Sequence, residues 1–397
     1  MFKRINQCDV YVGLWCIYML QGVLYQPGIV NRILQLIMLL FGLIAILRSM
    51  FQSTGGSSIL KAAFVLIIMY TIYGSINIMF GDSLTPSNHY SYGRYVYLQA
   101  ALNSLAPIFL FYYSAMDGKL TNDRIRIYLP ILIVICILLY YKNESIKLLD
   151  TNKDGMTNNI GYMFITLIPF LFFYSKKPIL QHLLMGIILL YVFMGMKRGA
   201  ILIATITSVV LLYANVKNSS RWMKVLFTIL SITVVVGISK YIDYMMDNSS
   251  YFMERFEQTM DGNSSNRDII YRSLWNALSL ESSPFYFYFG RGADSTVKVI
   301  GTFAHQDWLE TFCNNGLIGV IILFYFFYTF GKNTWKSRYY FPRMMFYSFV
   351  TLFITILSKT FFSMSIKALE LSESMLLGYF AFELHNLELD DINETEY

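Results

Sequence analysis

Apolar positions along this chain gather into long unbroken runs, with polar residues confined to short breaks between them. The runs fall at 9–26, 33–50, 60–80, 97–116, 128–141, 160–175, 179–196, 199–216, 223–239, 307–331, 344–362 and 373–386. Most are close to the ~20 residues that a helix needs to cross about 30 Å of hydrocarbon; those at 128–141 and 373–386 are short. In lipid every backbone N–H and C=O must find its partner inside the segment. A barrel would instead need alternating strands of about ten residues. The pattern therefore predicts an all-α fold, a polytopic transmembrane helix bundle of about 12 spans.

One stretch breaks the pattern. From about Lys240 to Ala304 the chain is amphipathic, and it is read as a large extracytoplasmic loop carrying short helices. The spacing of Ile269, Ile270, Leu274 and Leu278 predicts one such helix lying over the bundle, with Asp268 and Arg272 as an i,i+4 pair on its polar side. The expected organisation is spans one to nine over 1–239, the loop over 240–304, spans ten to twelve over 305–386, and an acidic cytoplasmic tail over 387–397. The basic start at Lys3 and Arg4 leads into an apolar stretch with no small-residue cleavage site, so it is read as an uncleaved first helix.

Composition agrees with the pattern: hydrophobic residues make up 56% of the chain, charged residues 14%, and mean hydropathy is +0.48. The net charge of +6 could point to nucleic acid in a water-soluble protein. Here Lys and Arg sit in short loops, so they report orientation instead, and no nucleic-acid partner is expected. They are more frequent on one side, which places both termini in the cytoplasm. Cys8, Cys16, Cys136 and Cys313 lie in or beside spans with no CxxC pair and read as buried thiols.

Candidate chemistry collects at the outer face. Arg198, in GMKRGA, stands between two spans joined by almost no loop, where Gly199 and Ala200 leave room for an anion near the next helix's N–H groups. Arg267 opens the loop helix and shares a face with Tyr271, Leu274 and Trp275. Arg255, Arg272 and Arg291 are further loop cations. His305 stands where the loop meets a span, close in sequence to Asp307 and Glu310, and could exchange a proton near neutral pH. His89, His182 and His385 read as structural. Cofactor motifs fail: Gly161 occupies the place of the bidentate Glu in the calcium-like segment from Asp150, GRGAD lacks a phosphate-loop lysine, and no DxD or HExxH occurs. No metal or other cofactor is expected.

Four segments in order, KRGA at 197–200, NRDIIYRSLWNAL at 266–278, FGRGAD at 289–294 and AHQDWLETFCNNGLIG at 304–319, resemble the O-antigen ligase and O-antigen polymerase superfamily of bacterial membrane glycosyltransferases. The resemblance covers about residues 190–320 and departs from the family at Gln306, where an Asn commonly follows the His. It implies transfer of a glycan from undecaprenyl pyrophosphate in surface polysaccharide biosynthesis, of lipopolysaccharide or capsule. It implies Arg198, Arg267 and Arg272 as pyrophosphate ligands, His305 as base, and Glu310 as its orienter or an acceptor contact. It places the enzyme in the bacterial inner membrane with its site facing the periplasm or exterior. Its partners would be the undecaprenyl-pyrophosphate-linked oligosaccharide, the lipid bilayer, a chain-length regulator and other polysaccharide assembly proteins. Repeat-unit polymerisation is preferred to ligation onto a lipid A-core. A lipid-linked sugar flippase is the alternative from another class, weakened by the scarcity of charges within the spans. The expectation is that Arg198, Arg267 and His305 converge in one outward cavity.

Overall fold

The structure is a computed structural model, and it describes residues 6–21, 23, 28–51, 57–81, 94–151, 158–217, 220–248, 253, 257, 267–278, 283–363, 366 and 369–395. Lys3, Arg4, His89, Arg255 and residues 152–157 of the calcium-like segment lie outside them. All regular structure among the described residues is helical. The first half holds α1 (Gln7–Leu20), α2 (Gly28–Phe51), α3 (Ser58–Phe80), α4 (Val96–Met116), α5 (Asn122–Thr151), α6 (Gly161–Ile165), a 3₁₀ helix (Ile168–Tyr174) and α7 (Pro178–Met194). The second half holds α8 (Arg198–Lys217), α9 (Arg221–Asn248), α10 (Arg267–Leu278), α11 (Pro284–Phe289), α12 (Ser295–Ile300), α13 (Asp307–Tyr340), α14 (Arg343–Phe362) and α15 (Leu371–Thr395).

Seven of these, α2 to α5, α8, α13 and α14, are long and apolar enough to cross a membrane, and the 161–174 and 178–194 helices are shorter apolar ones. The side chains confirm the solvent. On α2, Ile33, Leu36, Leu40, Ile44 and Leu47 recur every three or four residues and are exposed, a stripe that water would not tolerate but acyl chains would. This is an all-α multi-pass membrane protein. The helix α15 runs on through most of the acidic tail, further than the apolar run that predicted it.

The chain divides into two compact units. In the first, formed by Met1–Gln35, Asp117–Asn263 and Ser337–Thr355, α1 is tied to α5 at Asp9, which accepts from Arg124 and from the Tyr128 hydroxyl at 2.6 Å. A buried amide chain crosses it: Asn215 Nδ2 donates to Gln181 Oε1 at 2.9 Å, and Gln181 Nε2 to the Leu171 carbonyl at 2.8 Å. Such pairs hold helices together where apolar burial offers no drive between them.

The second unit comprises Leu36–Met116, Ser264–Lys336 and Ile356–Tyr397. Its centre is the packing of α4 on α3 and α15. At Gly378 of α15 a Cβ would come within 2.4 Å of the Ile108 carbonyl, so only glycine lets α15 approach α4 this closely. His385 bonds the Tyr112 hydroxyl through Nδ1 at 2.6 Å here.

Candidate functional site

In the first unit, Arg198 is the first residue of α8. The turn before it is tight: Gly195 N–H donates to Tyr191 O, Met196 N–H to Phe193 O, and Met196 takes a positive φ of 49°. Asn158 braces this turn. Its N–H donates to the Gly195 carbonyl at 2.8 Å, its Nδ2 to Tyr140 O at 3.0 Å, and its Oδ1 accepts from Ile160 N–H at 3.1 Å. The sequence marks Asn158 only as one polar residue of the calcium-like segment. Arg198 is half-buried, with Gly199 and Ala200 buried behind it. A cation at a helix N-terminus opposes the macrodipole by roughly 0.3–1 kcal/mol, so this guanidinium is not there to stabilise α8. An anion between the two would reverse the sign.

In the second unit, α10 spans Arg267–Leu278, the helix its pattern predicts. Its buried residues Leu274 and Leu278 pack with Ala304, Phe312 and Cys313, and Ile270, Leu309 and Leu317 close around them. Trp275 lies against Phe312 with ring centroids 5.9 Å apart. Positions 267, 271, 274 and 278 share one helix face, which carries half-buried Arg267 towards the packed side. Arg272 and Ile269 are exposed. Arg267 is thus tied through its helix to Ala304, the residue before His305.

Three links fix the loop that carries His305. Glu310, 1% exposed, accepts from Ala304 N–H at 2.6 Å through Oε1 and from the Thr296 hydroxyl at 2.7 Å through Oε2. Asp307 Oδ2 accepts from Ile366 N–H at 2.9 Å, and Trp308 Nε1 donates to the Thr360 hydroxyl at 2.9 Å. His305 itself is exposed, with φ of 55°. A left-handed non-glycine residue is uncommon and persists where its surroundings over-determine it. Buried carboxylates supply that constraint: Glu310 holds the Ala304 N–H just before His305, and Asp307, two residues after it, is anchored to the Ile366 N–H of a distant segment.

Beneath this loop the Phe289–Gly292 turn meets a break in α13. Gly316 departs from helical geometry (φ 66°, ψ −165°), which takes the normal helical partners from nearby carbonyls. The turn replaces them: Arg291 N–H donates to Cys313 O at 2.8 Å and Gly292 N–H to Asn314 O at 3.0 Å. Ser295 N–H donates to Asn314 Oδ1 at 2.9 Å. A Cβ on Gly316 would lie 2.3 Å from Tyr288 O, and one on Gly290 2.5 Å from Asn314 backbone, which explains both glycines. Tyr73 on α3 donates to Phe289 O at 2.6 Å, and Tyr97 on α4 to Asn315 Oδ1 at 3.2 Å. Both tyrosines lie far away in sequence and escaped prediction.

Lys359 and Glu373 form a buried ion pair in this unit, with Nζ 2.9 and 2.8 Å from the two carboxylate oxygens and exposures of 2% and 0%. Glu370, in the link between α14 and α15, donates its N–H to Glu373 Oε2 at 2.9 Å. Burial pushes its carboxyl up to about 7; Lys359 opposes the rise and Glu373 adds to it. The folded chain therefore holds this proton more tightly than the unfolded chain. Stability from this group is full below the ordinary value of 4.5 and is lost as pH rises through about 7. Glu370→Gln is expected to flatten the fall of the thermal midpoint over that window in detergent. Parallel curves for the two proteins would exclude Glu370 as its source.

In comparison with known families, the O-antigen ligase model matches residues 183–324. That stretch runs from α7 into α13 and contains Arg198, Arg267, Arg272, His305 and Glu310. No curated protein matches the chain.

Proposed function

We propose, on the premise that this chain carries a domain of the O-antigen ligase and polymerase superfamily, that it polymerises polyprenyl-pyrophosphate-linked repeat units of a bacterial surface polysaccharide at the outer face of the inner membrane. The observation that supports the reading is the held loop: Glu310 accepts from Ala304 N–H, Asp307 accepts from Ile366 N–H, and between them stands the exposed, left-handed His305. A sugar hydroxyl is a poor nucleophile as the neutral alcohol, and a positioned base contributes about 10² to 10⁴-fold. The hydroxyl oxygen of the acceptor attacks the donor's anomeric carbon while its proton passes to the His305 imidazole. The anomeric C–O bond to pyrophosphate breaks, and the electron pair leaves with the polyprenyl pyrophosphate. Direct displacement inverts the anomeric centre.

The planar fork of Arg267, on the packed face of α10, suits the charged oxygens of a leaving pyrophosphate, and Arg198, at the start of α8, carries a fork suited to the same kind of anion. Arg272, on the exposed side of α10, is a third and more peripheral cation. Glu310 is assigned as a positioning residue, since each of its oxygens accepts a bond from the loop.

The test is transfer by the purified protein in detergent, with a repeat unit on polyprenyl pyrophosphate as both donor and acceptor. Expected products are lipid-linked dimers and longer chains, together with free polyprenyl pyrophosphate. A flippase would give none, because detergent offers no second compartment. The description of the matched family favours a second reading, ligation onto a different acceptor. Loss of a polymerase leaves single repeats on that acceptor; loss of a ligase leaves it bare while lipid-linked polymer accumulates.

A further inference from the structure

We infer that a cavity of about 400 Å³ beside the Phe289–Gly292 turn is a second lipid-phosphate site, which holds the pyrophosphate of the acceptor. The inference rests on the polymerase reading and extends it. In polymerisation both reactants are lipid pyrophosphates: the donor gives its pyrophosphate up, whereas the acceptor keeps its own. One cluster of cations at the leaving group therefore serves only half of the substrate pair.

The cavity is lined by Tyr286, Arg291, Ser295, Lys298 and Val299, which include two cations and no carboxylate. Arg291 is held in place from several directions. Its backbone N–H is bonded to Cys313 O, its Nη2 donates to Ala277 O at 2.8 Å, and its guanidinium lies over the Tyr286 ring at 4.6 Å. Arg291 is exposed, and fixing its side chain costs entropy that water contacts alone do not return; a fixed fork with donors to spare is suited to an anion. Lys298, on the last turn of α12, brings a second charge to the same space. Neither residue makes an ion pair among the described residues.

The neighbouring helix α11 has the sequence PFYFYF, and Phe285, Tyr286, Tyr288 and Phe289 on it are exposed. In a membrane protein, aromatic rings so placed sit at headgroup level or against acyl chains. Cations beside exposed rings match a ligand with a pyrophosphate head and a long apolar chain. A free phosphate would use only the cations.

The test measures binding of glycan-free polyprenyl pyrophosphate to the purified full chain. Two molecules per chain are expected for the wild type, and one for the Arg291→Met, Lys298→Met double variant. Lys298→Met alone should weaken the second molecule at least tenfold. Its side chain is exposed, so this variant keeps the test readable if the double variant does not fold. A single site in the wild type, or two sites retained in a folded double variant, would overturn the inference. So would inorganic pyrophosphate displacing the second lipid as effectively as the lipid itself, because that marks a plain anion site. Two bound lipids without any transfer would instead overturn the polymerase reading and leave the second lipid site standing.

Discussion

Replacing His305 with alanine is expected to lower glycan transfer by about 10² to 10⁴-fold, the range a positioned general base contributes, while protein level and thermal midpoint stay near wild type. The side chain is exposed, so its removal opens no cavity. The backbone needs its own control, because His305 has a φ of 55°. Alanine is strained there, asparagine tolerates it and glycine adopts it freely. If His305 serves only to shape the turn, His305→Gly should retain activity. If it is the base, the alanine, asparagine and glycine variants should be similarly inactive. Full activity in His305→Gly would remove the imidazole from the mechanism.

The second large effect concerns stability. Lys359→Met leaves the Glu373 carboxylate buried at 0% exposure without its cation. Removing one partner of a buried pair typically costs about 3–5 kcal/mol, whereas exchanging both for apolar residues of similar size is often neutral. The thermal midpoint in detergent should therefore fall sharply in Lys359→Met and recover in Lys359→Met, Glu373→Met. Activity should follow the fold, since Thr360, next to Lys359, bonds Trp308 at the start of α13. Equal losses in the single and double variants would show that packing at these positions, not charge pairing, sets the cost.

The expected spans at 60–80, 97–116, 199–216 and 344–362 lie within one or two residues of α3, α4, α8 and α14. The apolar run ends where the membrane ends, so the pattern carries that information by itself. The helix α10 was legible for a related reason, since Ile270, Leu274 and Leu278 repeat at helical spacing. The break at Gly316 was not: glycine, leucine and isoleucine there read as an ordinary span. Tyr73 and Tyr97 were also invisible among 31 tyrosines, because nothing in their local sequence points to partners more than 200 residues away. Glu310 was visible as a carboxylate near His305, but its role was not. Proximity in sequence suggests contact with the imidazole or the acceptor; the fold adds that its two oxygens accept from Ala304 N–H and from the Thr296 hydroxyl.

The sequence by itself determined the solvent, the helical class and the residue types available between the spans. Lipid satisfies no backbone group, so long apolar runs have one solution, and charges are left only where that solution ends. The tertiary structure alone decided which polar groups meet. Apolar burial has no direction and can choose a face but not a partner. Hydrogen bonds are directional, and here they form where the chain leaves backbone unpaired: at Gly195 beside Arg198, at the carbonyls released by Gly316, and at the Ala304 N–H that holds His305 in place.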